Sequence, residues 1–220
     1  MPFATGSGVR IHYEVEGTGV PLLLHVGFSN VIADCYQFGY VDALKADYRL
    51  VMLDPRGHGE SDKPHEPDAY SPAQRVADVL TVLDALGLDQ VYFLRYSMGG
   101  RIGFDPGGAG SAAFPAVRDR RGAAICTQLA VGTVVRAAGS AVPPGGRRSV
   151  VAGAERATGA LPPERRQRLL AQDPEALAAV YEAFAAVPSL EGELPSFRVP
   201  TLVYCGEKDP AHGGCSGRPD

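Results

Sequence analysis

Apolar and polar residues change their spacing several times along the chain, and each change marks an element. From Val9 to Glu16 they alternate, as expected of an edge strand with one solvated face, and Gly17-Thr18-Gly19 turns the chain. Pro21 to Val26 is instead a continuous apolar run, the signature of a strand buried on both faces of a parallel sheet, and Tyr48 to Leu53 reads as a second. Between them, Asp34 to Leu44 carries a helical pattern with aromatic residues at Tyr36, Phe38 and Tyr40. Ser71-Pro72-Ala73-Gln74 opens the next helix as N-cap, N1 and N3 of a capping box. Val76, Val79, Leu80, Leu83 and Leu86 form its apolar face and Gly87 closes it. Gln90 to Leu94 is again β-prone, and a helical pattern (Met98, Ile102, Phe104) follows after a short turn.

Past residue 104 the pattern weakens. Asp105-Pro106-Gly107-Gly108 stops the helix, because proline and paired glycines end helices. Residues 106–160 hold 7 Arg, no Lys, 2 acidic residues and 10 Gly, so a positive segment sits inside an acidic chain. Two explanations stand: a divergent natural lid, or a stretch read in a shifted frame, with 211–220 as a second instance. Within the segment, Ala123 to Val135 has room for a strand. The pattern then returns: Pro162 to Leu170 is a short basic helix. Asp173-Pro174-Glu175 caps another with Leu177, Val180, Tyr181, Phe184 and Val187 on one face, and Thr201 to Cys205 is strand-like. Alternating strands and helices predict an α/β, doubly wound, mostly parallel sheet, in which ligands bind beyond the carboxyl ends of the strands. The expected organisation is a core over 1–135, a cap and irregular segment over 136–195, and a core strand with its loop over 196–220.

Composition narrows the function. The net charge of −4 and the lack of a basic run exclude nucleic acid as the expected partner. No run approaches 18 apolar residues and the N-terminus lacks the features of a signal peptide, so no membrane is expected and the setting is read as cytoplasmic. Cys35, Cys126, Cys205 and Cys215 are widely spaced, without ligand spacing, and no glycine-rich loop carries a phosphate-cradling lysine. Neither a cofactor nor a metal is expected.

The chemistry concentrates at Tyr92-Phe93-Leu94-Arg95-Tyr96-Ser97-Met98-Gly99-Gly100. A strand, a sharp turn and a helix start place Ser97 as a nucleophile elbow would, with Arg95 where the Gly-x-Ser-x-Gly pattern has its first glycine. The plainer reading is a loop serine beside a glycine turn. Four stretches in order decide between them: Leu23 to Ser29, Leu53-Asp54-Pro55-Arg56-Gly57-His58-Gly59-Glu60-Ser61-Asp62, Tyr96 to Gly100, and Val199 to Asp209. Together they resemble α/β-hydrolases of the esterase, lactonase and cofactor-free perhydrolase type. The likeness covers residues 9–104 and resumes near 161.

That resemblance implies roles. Ser97 is the nucleophile, the backbone N–H groups of Phe28 and Met98 form the oxyanion hole, and Asp209 orients a histidine. An ordinary turn aspartate is the alternative for Asp209. The helices from 162 to 187 correspond to the cap, or else are ordinary core helices. Dehalogenase and epoxide hydrolase members use a carboxylate nucleophile, which disfavours those activities here. The family's base histidine lies tens of residues beyond the acid, whereas this sequence has only His212 past Asp209. His25 resembles the oxyanion-loop histidine and His58 a structural loop histidine. Arg95 must reach solvent or carry a cost of burial, and Cys35 is either a core or a pocket thiol. The expected function is hydrolysis of a small carboxylic ester or lactone through an acyl-enzyme. The alternatives are perhydrolysis by the same residues, and a non-catalytic binding protein or damaged truncated product lacking the last strand and helix. Phe28, Tyr36 and the cap suggest an apolar acyl group; the oligomeric state is open.

Overall fold

The computed structural model describes residues 2–99, 126–128, 147–187 and 202–203. Among the described residues seven strands make one sheet: β1 (Phe3–Gly6), β2 (Val9–Glu16), β3 (Val20–His25), β4 (Tyr48–Leu53), β5 (Tyr92–Arg95), β6 (Cys126–Gln128) and β7 (Leu202–Val203). Their spatial order is β1-β2-β4-β3-β5-β6-β7. The β1/β2 and β2/β4 pairs are antiparallel, and all pairs from β4 through β3, β5 and β6 to β7 are parallel. The chain runs from β3 outward to β4, then returns to add β5 on the other side of β3. The strand order therefore reverses between β3 and β5, where a doubly wound sheet opens its ligand crevice.

Side-chain alternation builds a core on each face. Leu23, Val51, Leu53 and Phe93 point to one side and pack with Val76, Val79, Val82 and Leu83 of α3 (Pro72–Ala85). Leu22, Leu24, Leu50, Met52 and Tyr92 point to the other and meet Ile32, Cys35 and Val41 of α1 (Ile32–Gln37) and α2 (Tyr40–Leu44). Cys35 is thus a core residue; burial, with Asp34 and Asp54 adding, pushes its thiol up to about 12.

Several expectations are corrected. Val9–Glu16 is not an edge: Phe3–Gly6 pairs with it through a two-residue turn, Ser7-Gly8, whose φ values of 50° and 75° suit a tight hairpin. The helix expected over Asp34 to Leu44 is two short helices, parted at Gly39, where φ is 80°. The capping box of α3 is half made. Ser71 Oγ accepts from Gln74 N, but the Gln74 side chain turns away to accept from Arg56 Nη1 at 2.8 Å. At the other end, Gly87 N and Leu88 N donate to Asp84 O and Leu83 O in a Schellman closure. The Tyr36 hydroxyl donates to Glu14 at 2.9 Å and lies 3.1 Å from Glu16 on β2.

In the arginine-rich stretch, β6 falls inside Ala123 to Val135 as expected, whereas α4 (Arg147–Thr158) was not foreseen. Its apolar content is too thin to show a period, yet Val151 is buried. Residues 106–125 and 129–146 lie outside the described residues. α5 (Pro163–Ala171) and α6 (Pro174–Ala185) match the sequence reading. Asp173 Oδ1 caps α6 by accepting from Glu175 N and Ala176 N, and Val180 and Ala179 pack against Tyr70 and Met98. No described helix is long and apolar enough to cross a membrane.

Candidate active site

β5 delivers the serine. Its ladder to β3 continues one step past the strand, Tyr96 N donating to His25 O, and the chain then reverses so that Gly99 N donates to Tyr96 O. Ser97 sits in the reversal with φ at 53°, a left-handed conformation that costs a non-glycine residue about 1–3 kcal/mol and that surrounding structure must hold. The serine is half-buried while Met98 is fully buried, so the turn lifts residue 97 toward the crevice and anchors residue 98 beneath it. The need for glycine at 99 is steric: a Cβ there would stand 2.5 Å from His25 Nδ1 and 2.7 Å from His25 O.

Arg95 does not reach solvent. It is 2% exposed, and its guanidinium lies 5.0 Å from the centre of the Phe93 ring. Residues 93 and 95 share one face of β5, so the ring gives the cation a polarisable neighbour inside the sheet.

The loop after β3 closes over the elbow. A Cβ on Gly27 would come within 3.2 Å of Ser97 Cβ, so Gly27 lets the loop lie directly against the serine. Phe28 follows, its ring 5.9 Å from that of His58 and 6.0 Å from that of Tyr181 on α6. Ser29 again has positive φ, 63°, and is gripped at both backbone polar groups. Its N–H donates to His58 Nε2 at 3.1 Å, and its carbonyl accepts from Gln172 Nε2 at 2.6 Å. His58 Nδ1 in turn donates to Arg56 O. One ring nitrogen accepts and the other donates, so the imidazole is neutral, and burial takes its pKa down to about 4.

Asp54 organises the next loop. It accepts from His12 Nδ1 at 2.8 Å, Ile32 N at 2.8 Å and Glu60 N at 3.0 Å. Arg56 makes a two-pronged pair with buried Asp78, 2.6 Å on each arm, and also donates to Ala69 O. These contacts tie the loop to α3 and hold His58 in place under the Ser29 turn.

The described histidines are engaged elsewhere than on Ser97. His12 serves Asp54. His25 is buried with Nδ1 3.0 Å from Val26 O, and burial lowers it to about 4. His58 holds Ser29, and His65 pairs on the surface with Asp173 and Glu175 at 3.0 and 3.1 Å. Asp209 and His212 lie outside the described residues.

Sequence reasoning missed a set of contacts from α5 and the turn after it to the loop following Phe28. Arg165 Nη2 donates to Asn30 Oδ1 at 3.3 Å, Arg168 Nη2 to Asp34 Oδ1 at 2.8 Å, and Gln172 to Ser29. Asp34 Oδ2 also accepts from Val31 N. The partners are separated by more than 130 positions, and the only trace in the sequence is the basic character of α5.

Comparison with known proteins fits this geometry. The profile of the alpha/beta hydrolase fold family matches residues 20–105, which hold β3 to the elbow. Epoxide hydrolase 4 of Mus musculus is 36% identical over 99 residues, 44% of this chain and 27% of that protein. The chain spans roughly a quarter to two-fifths of the length of such curated relatives. Among solved structures, a hydrolase from Pseudomonas aeruginosa superposes with a TM-score of 0.75 at 23% identity, covering 97% of this chain and 84% of that one. The enol-lactonase from Burkholderia xenovorans gives 0.70 at 22%, covering 92% and 80%. At such identities these likenesses speak for the fold alone.

Proposed function

We propose that this protein of the alpha/beta hydrolase fold family is a serine hydrolase of small carboxylic esters or lactones. The observation that carries the reading is Ser97 at positive φ, half-exposed at the carboxyl end of β5, with the Gly27-Phe28 loop lying against it where the strand order reverses. In the reaction Ser97 Oγ adds to the ester carbonyl as its proton passes to a base. The carbonyl electrons move onto oxygen, which the Phe28 and Met98 amides receive, and collapse expels the alcohol with that proton. Water then adds to the acyl-enzyme and releases the acid and Ser97. Asp209 orients the base in this scheme, and the base is a residue other than His12, His25, His58 and His65. Peroxide in place of water would give a perhydrolase with the same residues.

An epoxide-opening reading has less support, because the elbow carries a serine where that chemistry uses a carboxylate. The reading takes 1–135 and 196–220 as the catalytic core, 136–195 as the cap above it, and the cytoplasm as its setting. The test is hydrolysis of p-nitrophenyl acetate and butyrate by the folded protein beside Ser97→Ala. Turnover that disappears in the variant supports the reading. No turnover from a protein with a native circular dichroism spectrum overturns it in favour of a binding protein.

A further inference from the structure

Asn30 closes the loop that lies against Ser97, and its side chain is held in one orientation from outside that loop. Arg165 of α5 donates from Nη2 to the amide oxygen. A guanidinium has donors only, so the oxygen must face it and the NH₂ must face the opposite way. Arg165 is itself fixed, 4.8 Å over the Phe38 ring and with Nε 3.7 Å from the buried Asp34 carboxylate. The backbone of Asn30 is equally set, because its N–H donates to Gly27 O across the turn. The nitrogen end of the amide shares a neighbour with the elbow. The Cβ position of Gly27 that stands 3.2 Å from Ser97 Cβ stands 3.6 Å from Asn30 Nδ2. Asn30 is only 9% exposed, and among the described residues Nδ2 has no acceptor. The residue is largely buried while its Nδ2 still reaches solvent, so an amide donor oriented by an arginine on the elbow side of its loop is open to an acceptor that arrives with the substrate.

We propose that Asn30 is a catalytic residue whose Nδ2 donates to the substrate carbonyl oxygen as it becomes an oxyanion, alongside the backbone amides of Phe28 and Met98. Arg165 is its positioning residue, keeping the amide from flipping. This rests on the ester-hydrolase reading. Because the donor matters most where charge develops, its loss acts on kcat and on the binding of tetrahedral analogues more than on KM.

The experiment measures kcat and KM for p-nitrophenyl butyrate, and inhibition by butylboronic acid, in the wild type, Ser97→Ala, Asn30→Ala, Asn30→Asp and Arg165→Gln. Asn30→Ala is expected to lower kcat by about 10²-fold with KM changed by less than about threefold, and to weaken the boronic acid by a similar factor to kcat. Arg165→Gln is expected to give a smaller loss of the same kind. Should Asn30→Ala fail to fold, Asn30→Asp decides: it keeps the size and the acceptor for Arg165 but not the donor, and the same loss is expected. Ser97-dependent turnover with kcat of the Asn30 variants within about twofold of wild type, or with the loss confined to KM, overturns this role and leaves the hydrolase reading standing. Absence of Ser97-dependent turnover in the wild type overturns both.

Discussion

At Ser97 and Gly99 the local fold leaves little freedom. The serine is kept at positive φ by a turn closed within three residues, and a Cβ at position 99 would meet His25 at less than van der Waals distance. Gly99→Ala is therefore expected to lower stability by about 1–3 kcal/mol through overpacking and to remove any Ser97-dependent turnover by shifting the elbow. Urea unfolding and ester hydrolysis check the two parts separately. The sharp turn that carries Ser97 was legible in the sequence because a strand, a turn and a helix start fit into ten residues. Asn30 was not, because its meaning comes from Arg165, more than 130 positions away. Arg95 shows a different limit. Its charge argues for solvent, and only the register that puts Phe93 on the same face shows how the interior accommodates it.

Among the elements, α3 and β4 could be read to the residue or nearly so, since caps and apolar runs are local signals. β2 was misplaced at an edge because a strand that alternates looks the same whether or not a short neighbour covers it. The long helix expected over Asp34 to Leu44 failed at Gly39, whose positive φ no periodicity reveals. α6 is joined to the core partly through His65, which bridges to its capping residue Asp173. The hydrogen bond to Asp173, with the Asp173 and Glu175 charges, raises the imidazole above its ordinary value. A raised folded-state value means that the contact stabilises fully below the unfolded pKa and is lost as pH rises through the raised one. Amide exchange in the first turn of α6 is expected to be faster at about pH 8.5 than at about pH 6 once corrected for intrinsic rates, and the difference to vanish in His65→Gln. An unchanged difference in that variant would refute the role of His65.

The molecule as a whole depends on two neutral histidines under its crevice. Burial lowers both His25 and His58 to about 4, so between that value and the ordinary 6.5 the unfolded chain binds protons that the folded one refuses. Stability therefore falls as pH drops from about 6.5 toward 4, by on the order of 2–3 kcal/mol for each histidine at the lower end. Protonation of His58 also takes away the acceptor for Ser29 N. Urea midpoints across this range, with His58→Gln flattening part of the slope, measure the effect. The doubly wound architecture was legible from the alternation of buried runs and amphipathic helices. The reversal between β3 and β5 was not, since spatial order is set by pairing and not by sequence order.

The sheet order also implies a sequence in time. β1 to β5 and Ser97 occupy the first hundred residues and pair mainly with one another, so they can assemble while the chain is still being synthesised. Arg165 and Gln172, which fix Asn30 and Ser29, leave the ribosome much later. On the hydrolase reading, the serine is in place before the loop beside it is locked, and the nascent chain carries its nucleophile for a time without the contacts that tune it.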